Sequence, residues 1–328
     1  MKIAVLDDYQ NAVSKLECYQ LLADHEVHVL TQSLSGDALV EALRGFDAVV
    51  LIRERTSFSA DLLRRLPDLK LISQTGKVSG HIDVAAATSL GITIVEGVGD
   101  PTAPAELTWA LIMAAYRRIP QYAAQMKAGR WQRSSNEAQY DGIGRTLKGD
   151  TLGIWGYGKI GRLIAQYGKA FGMHILVWGR EASRAQAIQD GHQAAETKEN
   201  FFAQADVLTL HLRLNDATRG IVSAADLASM KPTSLIVNTS RAELVESGAL
   251  QRALAAGRPG FAALDVFETE PASTGELGLM ADNVVATPHL GYVEQKGYEL
   301  YFGSAFRNVL DFFAGHPKNV LNPQALLP

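Results

Sequence analysis

A glycine-rich turn between two apolar runs is the feature that most limits how this chain can fold. Thr151–Trp155 has the composition of a buried strand, a helical pattern follows the turn, and a second apolar run covers His174–Trp178. The turn reads Gly156-Tyr157-Gly158-Lys159-Ile160-Gly161. In this setting the first glycine permits a tight turn, the second lets the backbone approach a phosphate, and the third lets the helix pack closely on its strand. The stretch therefore predicts a dinucleotide-binding βαβ unit rather than an ordinary glycine turn.

The composition is that of a globular protein and argues against several other classes. The chain has 328 residues, 47% of them apolar and 20% charged, which is enough for two domains with their own cores. A net charge of −4 offers no basic field for nucleic acid, and the single cysteine, Cys18, excludes an internal disulfide. No apolar stretch is long enough to cross a bilayer, and Lys2–Leu6 has a strand pattern where a signal peptide would begin. We therefore expect a cytoplasmic protein without membrane or nucleic-acid partners.

Short apolar runs alternate with helical patterns twice along the chain, once from residue 1 to about 98 and again from Thr151. This alternation is typical of βαβ units around a parallel sheet, and the six strands of the second series match a doubly wound sheet. The predicted fold class is α/β, with a doubly wound Rossmann cofactor domain and a second, flavodoxin-like α/β domain. The expected strands are Ile3–Leu6, Val27–Leu30, Ala48–Ile52, Leu69–Ser73, Ile92–Val95, Thr151–Trp155, His174–Trp178, Asp206–Leu210, Ser234–Asn238, Phe261–Leu264 and Asn283–Ala286.

Two helical patterns lie outside these alternating series. One runs from Ala105 to about Arg118, is apolar on most faces and should be buried, and Pro120 ends or kinks it. The other runs from about Val293 to Phe313, and we expect it to return to the first domain. Between them, Gln121–Thr146 is polar and poorly periodic, which predicts a long functional or partner-binding loop.

Three polar residue types follow neighbouring strands of the second series. Arg241 follows Ser234–Asn238, Glu270 follows Phe261–Leu264, and His289 follows the last strand. Ligands of open α/β sheets lie beyond the carboxyl ends of the strands, so these side chains should share one edge with the glycine turn. A guanidinium can bind a carboxylate, a histidine can exchange a proton, and a carboxylate can orient that histidine. Singly, each could be an ordinary ion pair, loop residue or solvated acid, but the shared edge favours a site for 2-keto acid reduction.

The chain resembles the D-isomer-specific 2-hydroxyacid dehydrogenases over nearly its whole length. The residues that carry the resemblance are LGIWGYGKIG, VNTSRAELVE, ALDVFETEP and ATPHLGY. The resemblance implies that Arg241, Glu270 and His289 are catalytic and that Asp265 lies near the nicotinamide. It also implies a substrate domain of residues 1–99 and 292–328, a dinucleotide domain of residues 100–291, a cleft between them, and a homodimer in which Gln121–Thr146 embraces the partner.

The predicted ligand contacts divide between the two domains. The cofactor-binding set is Gly156, Tyr157, Gly158, Lys159, Ile160, Gly161, Gly179, Arg180, His211, Thr239 and Asp265. The substrate-binding set is Lys77, Val78 and Ser79, in the outer-domain loop whose amides hold the substrate carboxylate in this family, together with Arg241. The loop carries Lys77, and the arginine motif reads Arg241-Ala242 where the family commonly has Arg-Gly, so the identity of the substrate stays open. His211 and His289 lack metal-ligand spacing with any other histidine or cysteine, which predicts no metal.

The end of the second Rossmann strand predicts which nicotinamide cofactor is used. An acidic residue at this point accepts from the ribose 2′-hydroxyl and selects NAD. Here the strand is followed by Gly179 and Arg180, with Ser183 and Arg184 close by. The sequence therefore favours NADP, while NAD stays possible if Glu181 turns in to hold the ribose.

Three functions remain open at this stage. The first is a reductase of a glyoxylate- or hydroxypyruvate-like 2-keto acid, which the intact arginine, glutamate and histidine favour. The second is a nucleotide-sensing regulatory protein on the same scaffold. The third is a formate- or phosphite-type dehydrogenase, for which the sequence gives no positive sign.

Overall fold

A computed structural model describes residues 1–137, 142–272 and 281–326 and divides the chain into two compact units. Unit 1 comprises Met1–Asp100 and Val293–Pro328, and unit 2 comprises Pro101–Tyr292. Each unit is built on one parallel sheet with its own apolar core. Two parallel-sheet units with intervening helices confirm the predicted α/β class.

Unit 1 contains a five-stranded sheet in the order β2-β1-β3-β4-β5, which is the flavodoxin-like order. Its strands are β1 (Lys2–Val5), β2 (Glu26–Val29), β3 (Ala48–Leu51), β4 (Leu71–Gln74) and β5 (Thr93–Glu96). Its helices are α1 (Gly36–Ala42), α2 (Ala60–Arg64), α3 (Val84–Ser89) and, from the end of the chain, α11 (Gln295–Phe313). The hydroxyl of Ser73 donates to the backbone carbonyl of Ala305 at 2.9 Å, so β4 and α11 are joined by a buried hydrogen bond as well as by apolar packing.

Unit 2 contains a seven-stranded sheet in the order β12-β11-β10-β9-β6-β7-β8, with every neighbouring pair parallel. Its strands are β6 (Thr151–Trp155), β7 (His174–Trp178), β8 (Gln193–Ala194), β9 (Val207–Leu210), β10 (Leu235–Asn238), β11 (Phe261–Leu264) and β12 (Val284–Ala286). Its helices are α4 (Thr102–Tyr116), α5 (Ile119–Lys127), α6 (Lys159–Ala170), α7 (Glu181–Gln189), α8 (Lys198–Gln204), α9 (Ala224–Ser229) and α10 (Ala249–Ala255).

The strands of unit 2 are apolar runs because helices cover both faces of the sheet. On one face Phe201 and Phe202 of α8 are fully buried and pack edge-on against Trp155. On the other face α4 and α6 pack on the sheet around Ile112 and Ile164, both fully buried. The sheet is therefore held rigidly from both sides, which fixes the positions of the loops at its ends.

The structure differs from the sequence prediction at two places in unit 2. The stretch Gln121–Thr146 is not wholly a loop, because α5 covers its first residues through Lys127. Pro120 lies at the start of α5, where its missing N–H costs nothing, so it begins a helix and does not kink the previous one. The sheet has a seventh strand, β8, which escaped prediction because two residues carry no periodicity. Residues 138–141 of the predicted arm lie outside the described residues.

No helix among the described residues combines the length and the apolar character needed to cross a membrane.

Candidate active site

The glycine turn after β6 is held by two contacts too close for a side chain. Gly156 has a φ of +104°, and a Cβ at this residue would lie 2.4 Å from the carbonyl oxygen of His211. A Cβ at Gly161 would lie 2.2 Å from the carbonyl oxygen of Gly156 and 3.2 Å from a methyl group of Ile154 in β6. The third glycine therefore brings the start of α6 against its own strand and turn, as the sequence predicted.

The turn has the features of a phosphate-binding site. Gly158 is exposed, and a Cβ there would meet no atom within 4 Å. It is the N-cap of α6 and provides no side-chain cap, so the first amides of this 12-residue helix point outward without a partner from the cap. Lys159 is exposed in the first turn, whereas Ile160 packs against the core. These residues fit the pyrophosphate of a dinucleotide, with backbone N–H groups and the helix dipole as the binding groups.

Tyr157 does not direct its side chain toward the phosphate turn. It is buried, and its hydroxyl donates to the Asp190 carboxylate at 2.9 Å beyond the end of α7. Burial together with this carboxylate raises the pKa of Tyr157 to about 12. Any contact of Tyr157 with a cofactor would therefore be made by its backbone.

Two arginines lie near the end of β7: Arg180 precedes α7, and Arg184 lies in the first turn of α7 after the carboxylate of Glu181. Gly179 has a φ of +151°, and the exposed Arg180 is the N-cap of α7 in an extended conformation. The guanidinium of Arg184 lies 5.1 Å from the ring centroid of Trp178, the last residue of β7. The buried Nε of Arg184 has no hydrogen-bond partner among the described residues. The contact with Trp178 therefore holds a cation beside the strand end.

His211 follows β9 directly and lies against the glycine turn. Its amide donates to the Trp155 carbonyl at 2.8 Å, and its carbonyl oxygen makes the close approach to Gly156. Its Nε2 is inaccessible and has no hydrogen-bond partner among the described residues. Burial lowers the pKa of His211 to about 4, so the ring is neutral at physiological pH. A partly buried, neutral imidazole beside the turn does not fit a role as an acid.

A buried carboxylate fixes the loop that carries His289. Asp265 is fully buried at the end of β11 and accepts from the hydroxyl of Thr287 at 2.6 Å and from the amides of Leu290 and Gly291 at 2.7 and 2.8 Å. The residues that make these bonds lie before and after His289 in the chain. The φ of His289 is +53°, which is uncommon for a residue with a side chain. Burial raises the pKa of Asp265, although its hydrogen bonds act in the opposite direction.

His289 and Glu270 form a close pair at this edge of the sheet. The Nδ1 of His289 and the Oε2 of Glu270 are 2.6 Å apart, and the other Glu270 oxygen accepts from the Phe267 amide at 3.0 Å. Burial acts to raise the pKa of Glu270, but the hydrogen bond and charge of His289, the Phe267 amide and Arg241 outweigh it and hold that pKa below its usual range. Glu270 is therefore ionised, and its hydrogen bond to Nδ1 orients the ring.

Arg241 lies at the end of the neighbouring strand, close enough for its charge to act on Glu270. It begins the loop after Thr239, whose hydroxyl is 2.7 Å from that of Thr108 in α4. The structure thus brings Arg241, Glu270, His289 and Asp265 to the same sheet edge as the glycine turn, as parallel pairing of their strands requires. The side chain of Thr239 contacts α4, which the sequence did not indicate.

The predicted substrate loop of unit 1 is occupied by its own ion pair. The Lys77 ammonium lies 2.7 Å from the Glu96 carboxylate at the end of β5, and the Val78 amide donates to the same carboxylate at 2.8 Å. Ser79 is exposed. Sequence reasoning missed Glu96, although an acidic residue that ends an otherwise apolar strand was visible. Lys77 and the Val78 amide are therefore already engaged within unit 1.

Within the ranges 1–137, 142–272 and 281–326, no group of three or more histidine, cysteine or acidic side chains could hold a metal ion.

Comparison with known proteins identifies the family. The model of the family described as "D-isomer specific 2-hydroxyacid dehydrogenase, NAD binding domain" matches residues 109–291. A glyoxylate reductase from Aeropyrum pernix is 35% identical over 315 residues, which are 95% of this chain and 93% of the relative. The chain belongs to the D-isomer-specific 2-hydroxyacid dehydrogenases.

Other relatives carry different substrate names. The solved structure of a phosphoglycerate oxidoreductase from Vibrio cholerae is 57% identical, with a TM-score of 0.93 over 96% of this chain and 99% of that one. A D-3-phosphoglycerate dehydrogenase from Methanocaldococcus jannaschii is 36% identical over 293 residues, which are 89% of this chain but only 53% of the relative. This 2-hydroxyacid dehydrogenase is an oxidoreductase that acts on CH–OH donors with a nicotinamide cofactor, and its relatives differ in the small acid for which they are named.

The depressed pKa of His211 predicts a loss of stability in acid. Because the folded pKa of about 4 lies below the usual 6.5, the contribution is present above pH 6.5 and is lost as the pH falls toward 4. Between pH 7 and pH 5 the parent should lose roughly 2 kcal/mol more than His211→Gln. All four tryptophans lie in unit 2, so urea unfolding followed by tryptophan fluorescence reports on this unit. Equal pH slopes in the two proteins would contradict the buried neutral ring.

Proposed function

We propose that this dehydrogenase reduces a small 2-keto acid of the glyoxylate or hydroxypyruvate type and that NADPH is its preferred reductant. The observation that carries the proposal is the His289–Glu270 pair at 2.6 Å, at the sheet edge that also holds the glycine turn and Arg241. A regulatory protein would not need an ionised carboxylate aligned on a histidine. The same pair gives no reason to prefer formate or phosphite oxidation.

In this mechanism the chain's own residues bind the acid and move the proton. Arg241 binds the substrate carboxylate through charge-assisted hydrogen bonds and polarises the adjacent carbonyl. His289 protonates the carbonyl oxygen during reduction and accepts the proton in the reverse direction. Glu270 keeps the ring oriented through Nδ1, which directs Nε2 to the substrate. A nicotinamide held at this sheet edge would supply the hydride on reduction and accept it on oxidation.

The contacts of the cofactor follow from the strand ends of unit 2. The amides of the turn Gly156–Gly161 would bind the pyrophosphate of a dinucleotide, and His211, Thr239 and Asp265, which follow strands that end at the same edge, would hold the rest of it. Gly179 leaves room at the end of β7. In unit 1, Lys77, Val78 and Ser79 remain the proposed substrate loop, and Glu96 must release the Val78 amide before that amide can bind a carboxylate.

One further substrate class belongs in the same test. The Vibrio relative is named for phosphoglycerate, so a phosphorylated 2-keto acid is the main alternative substrate. Lys77 is paired with Glu96, which reduces its attraction for a phosphate. The Arg53 guanidinium nevertheless lies against Gly76 of the same loop, so the panel includes a phosphorylated acid.

Loss of nicotinamide absorbance with a panel of 2-keto acids tests the proposed reaction. The His289→Ala variant tests whether His289 is the proton donor. The panel contains glyoxylate, hydroxypyruvate and a phosphorylated 2-keto acid, with formate and phosphite assayed in the oxidative direction.

His289→Ala should reduce turnover roughly a hundredfold or more, while the affinity for NADPH, measured by fluorescence, stays within a few-fold of the parent. The control is His174→Ala, an exposed histidine at the opposite sheet edge, which should keep full activity. A parent inactive on every acid would refute the function, and an active His289→Ala would refute the assignment of the acid.

NADPH should be preferred because β7 ends in Gly179 and Arg180 with no carboxylate to repel a 2′-phosphate. Arg184, stacked on Trp178, provides a second cation beside the same strand end. The measurement is kcat/KM for NADPH and NADH with one keto acid. Arg180→Ala should lose most of the preference, whereas Arg252→Ala, in α10, should retain it. A parent that prefers NADH, with Glu181 holding the ribose, would contradict the proposal.

We also propose a cytoplasmic homodimer that uses α5 and the segment after it. Four large apolar side chains of this region are exposed, by 53 to 88%, which is unusual for a surface that faces only water. They are Ile119, Met126, Trp131 and Ile143. Sedimentation at the mass of a single 35.5-kDa chain would contradict the dimer.

A further inference from the structure

The turn that carries Arg241 is held by a buried asparagine. Asn238 is the last residue of β10 and is 2% exposed. Its Oδ1 accepts from the Ser240 amide at 3.0 Å, and its Nδ2 donates to the Arg241 carbonyl at 2.8 Å. The Asn238 side chain thus binds two peptide groups. They lie immediately before and immediately after the peptide group that joins Ser240 to Arg241.

The guanidinium of Arg241 depends on the peptide group between these two. Its Nη1 donates to the Ser240 carbonyl at 2.6 Å. Because Asn238 fixes the flanking peptide groups, it also fixes the direction of this carbonyl and the point at which the guanidinium is anchored. The hydroxyl of Ser240 donates to the Leu212 carbonyl at 2.7 Å, which ties the turn to the loop after β9.

We propose that Asn238 is a positioning residue for substrate binding, which acts by aiming the Arg241 guanidinium. The inference rests on the proposed role of Arg241 in binding the substrate carboxylate. Asn238 does not contact the substrate itself. A planar guanidinium forms paired hydrogen bonds with a carboxylate only in a narrow range of orientations, so a small rotation of the turn reduces substrate affinity.

The chemistry of the amide makes this role specific to asparagine. The site needs an acceptor for Ser240 and a donor for the Arg241 carbonyl on one short side chain. Aspartate has the same shape and keeps the acceptor, but it places a carboxylate oxygen against the Arg241 carbonyl oxygen. Asn238→Asp therefore breaks one arm of the clamp without creating a cavity.

Asn238→Asp should raise KM for the 2-keto acid about tenfold or more, with a smaller change in kcat. The inhibition constant of oxamate, a 2-keto acid analogue that is not reduced, should rise by the same factor. The dissociation constant of NADPH should stay within about twofold, because aspartate keeps the acceptor for the Ser240 amide beside Thr239 and the phosphate turn is on a different strand.

The matched control is Asn283→Asp. Asn283 is also buried in unit 2, at 8% exposure, and its Nδ2 also donates to a backbone carbonyl, that of Gly260, at 3.0 Å. It lies just before the amino-terminal end of β12, whereas Arg241 follows the carboxyl end of its strand. This variant should lose comparable thermal stability but keep KM within about twofold of the parent.

A double-mutant cycle with Arg241→Lys separates positioning from general damage. If Asn238 acts through the guanidinium, Asn238→Asp should cost less than about threefold in kcat/KM when residue 241 is already lysine. If Asn238→Asp does not fold, Asn238→Ser takes its place, since its hydroxyl can accept from Ser240 but is too short to reach the Arg241 carbonyl.

Three results would overturn the inference: an unchanged KM, an equal loss of kcat/KM in the lysine background, or a rise in the NADPH dissociation constant as large as the rise in KM. A parent without 2-keto acid reductase activity would refute the proposed function instead. An active parent with normal KM in both Asn238 variants would refute only the positioning role.

Discussion

Parallel pairing of the seven strands of unit 2 is the constraint on which the rest of the site depends. In a parallel sheet every strand ends at the same edge, so the residues that follow the strands meet there whatever their separation along the chain. Gly156, His211, Arg241, Asp265 and the His289 loop are brought together in this way. The covering helices bury both faces and prevent a strand from slipping, which would move its terminal residue away from this edge.

The sequence predicts this arrangement well because apolar runs and a glycine turn are local signals. β6, β7 and β11 begin and end where their patterns do, and the six principal strands of unit 2 were all expected. The two elements that the sequence did not predict have physical explanations. β8 is too short to show an alternating pattern. α5 begins at a proline, and a proline indicates the end of one helix as readily as the start of the next.

The sequence predicts which residues form the candidate site but not which contacts they make. Neighbouring strands predict that Glu270 and His289 are near each other, yet the 2.6 Å distance depends on how the loop after β11 folds back. The pairing of Lys77 with Glu96 could not be predicted, because it joins the ends of two strands through side-chain geometry alone. Asn238 had a signal, since an asparagine at the end of a strand favours an Asx turn, in which its side chain binds the backbone amide two residues later.

The left-handed backbone of His289 has a consequence for attempts to redesign this edge. In a library that varies position 289, the backbone conformation excludes many residues whatever their chemistry. β-branched and bulky residues resist a φ of +53°, whereas asparagine, aspartate and glycine accept it. Survivors of a folding screen would therefore be enriched in small polar residues for reasons unrelated to proton transfer. Directed evolution here would progress faster by changing the residues that surround the histidine than by replacing it.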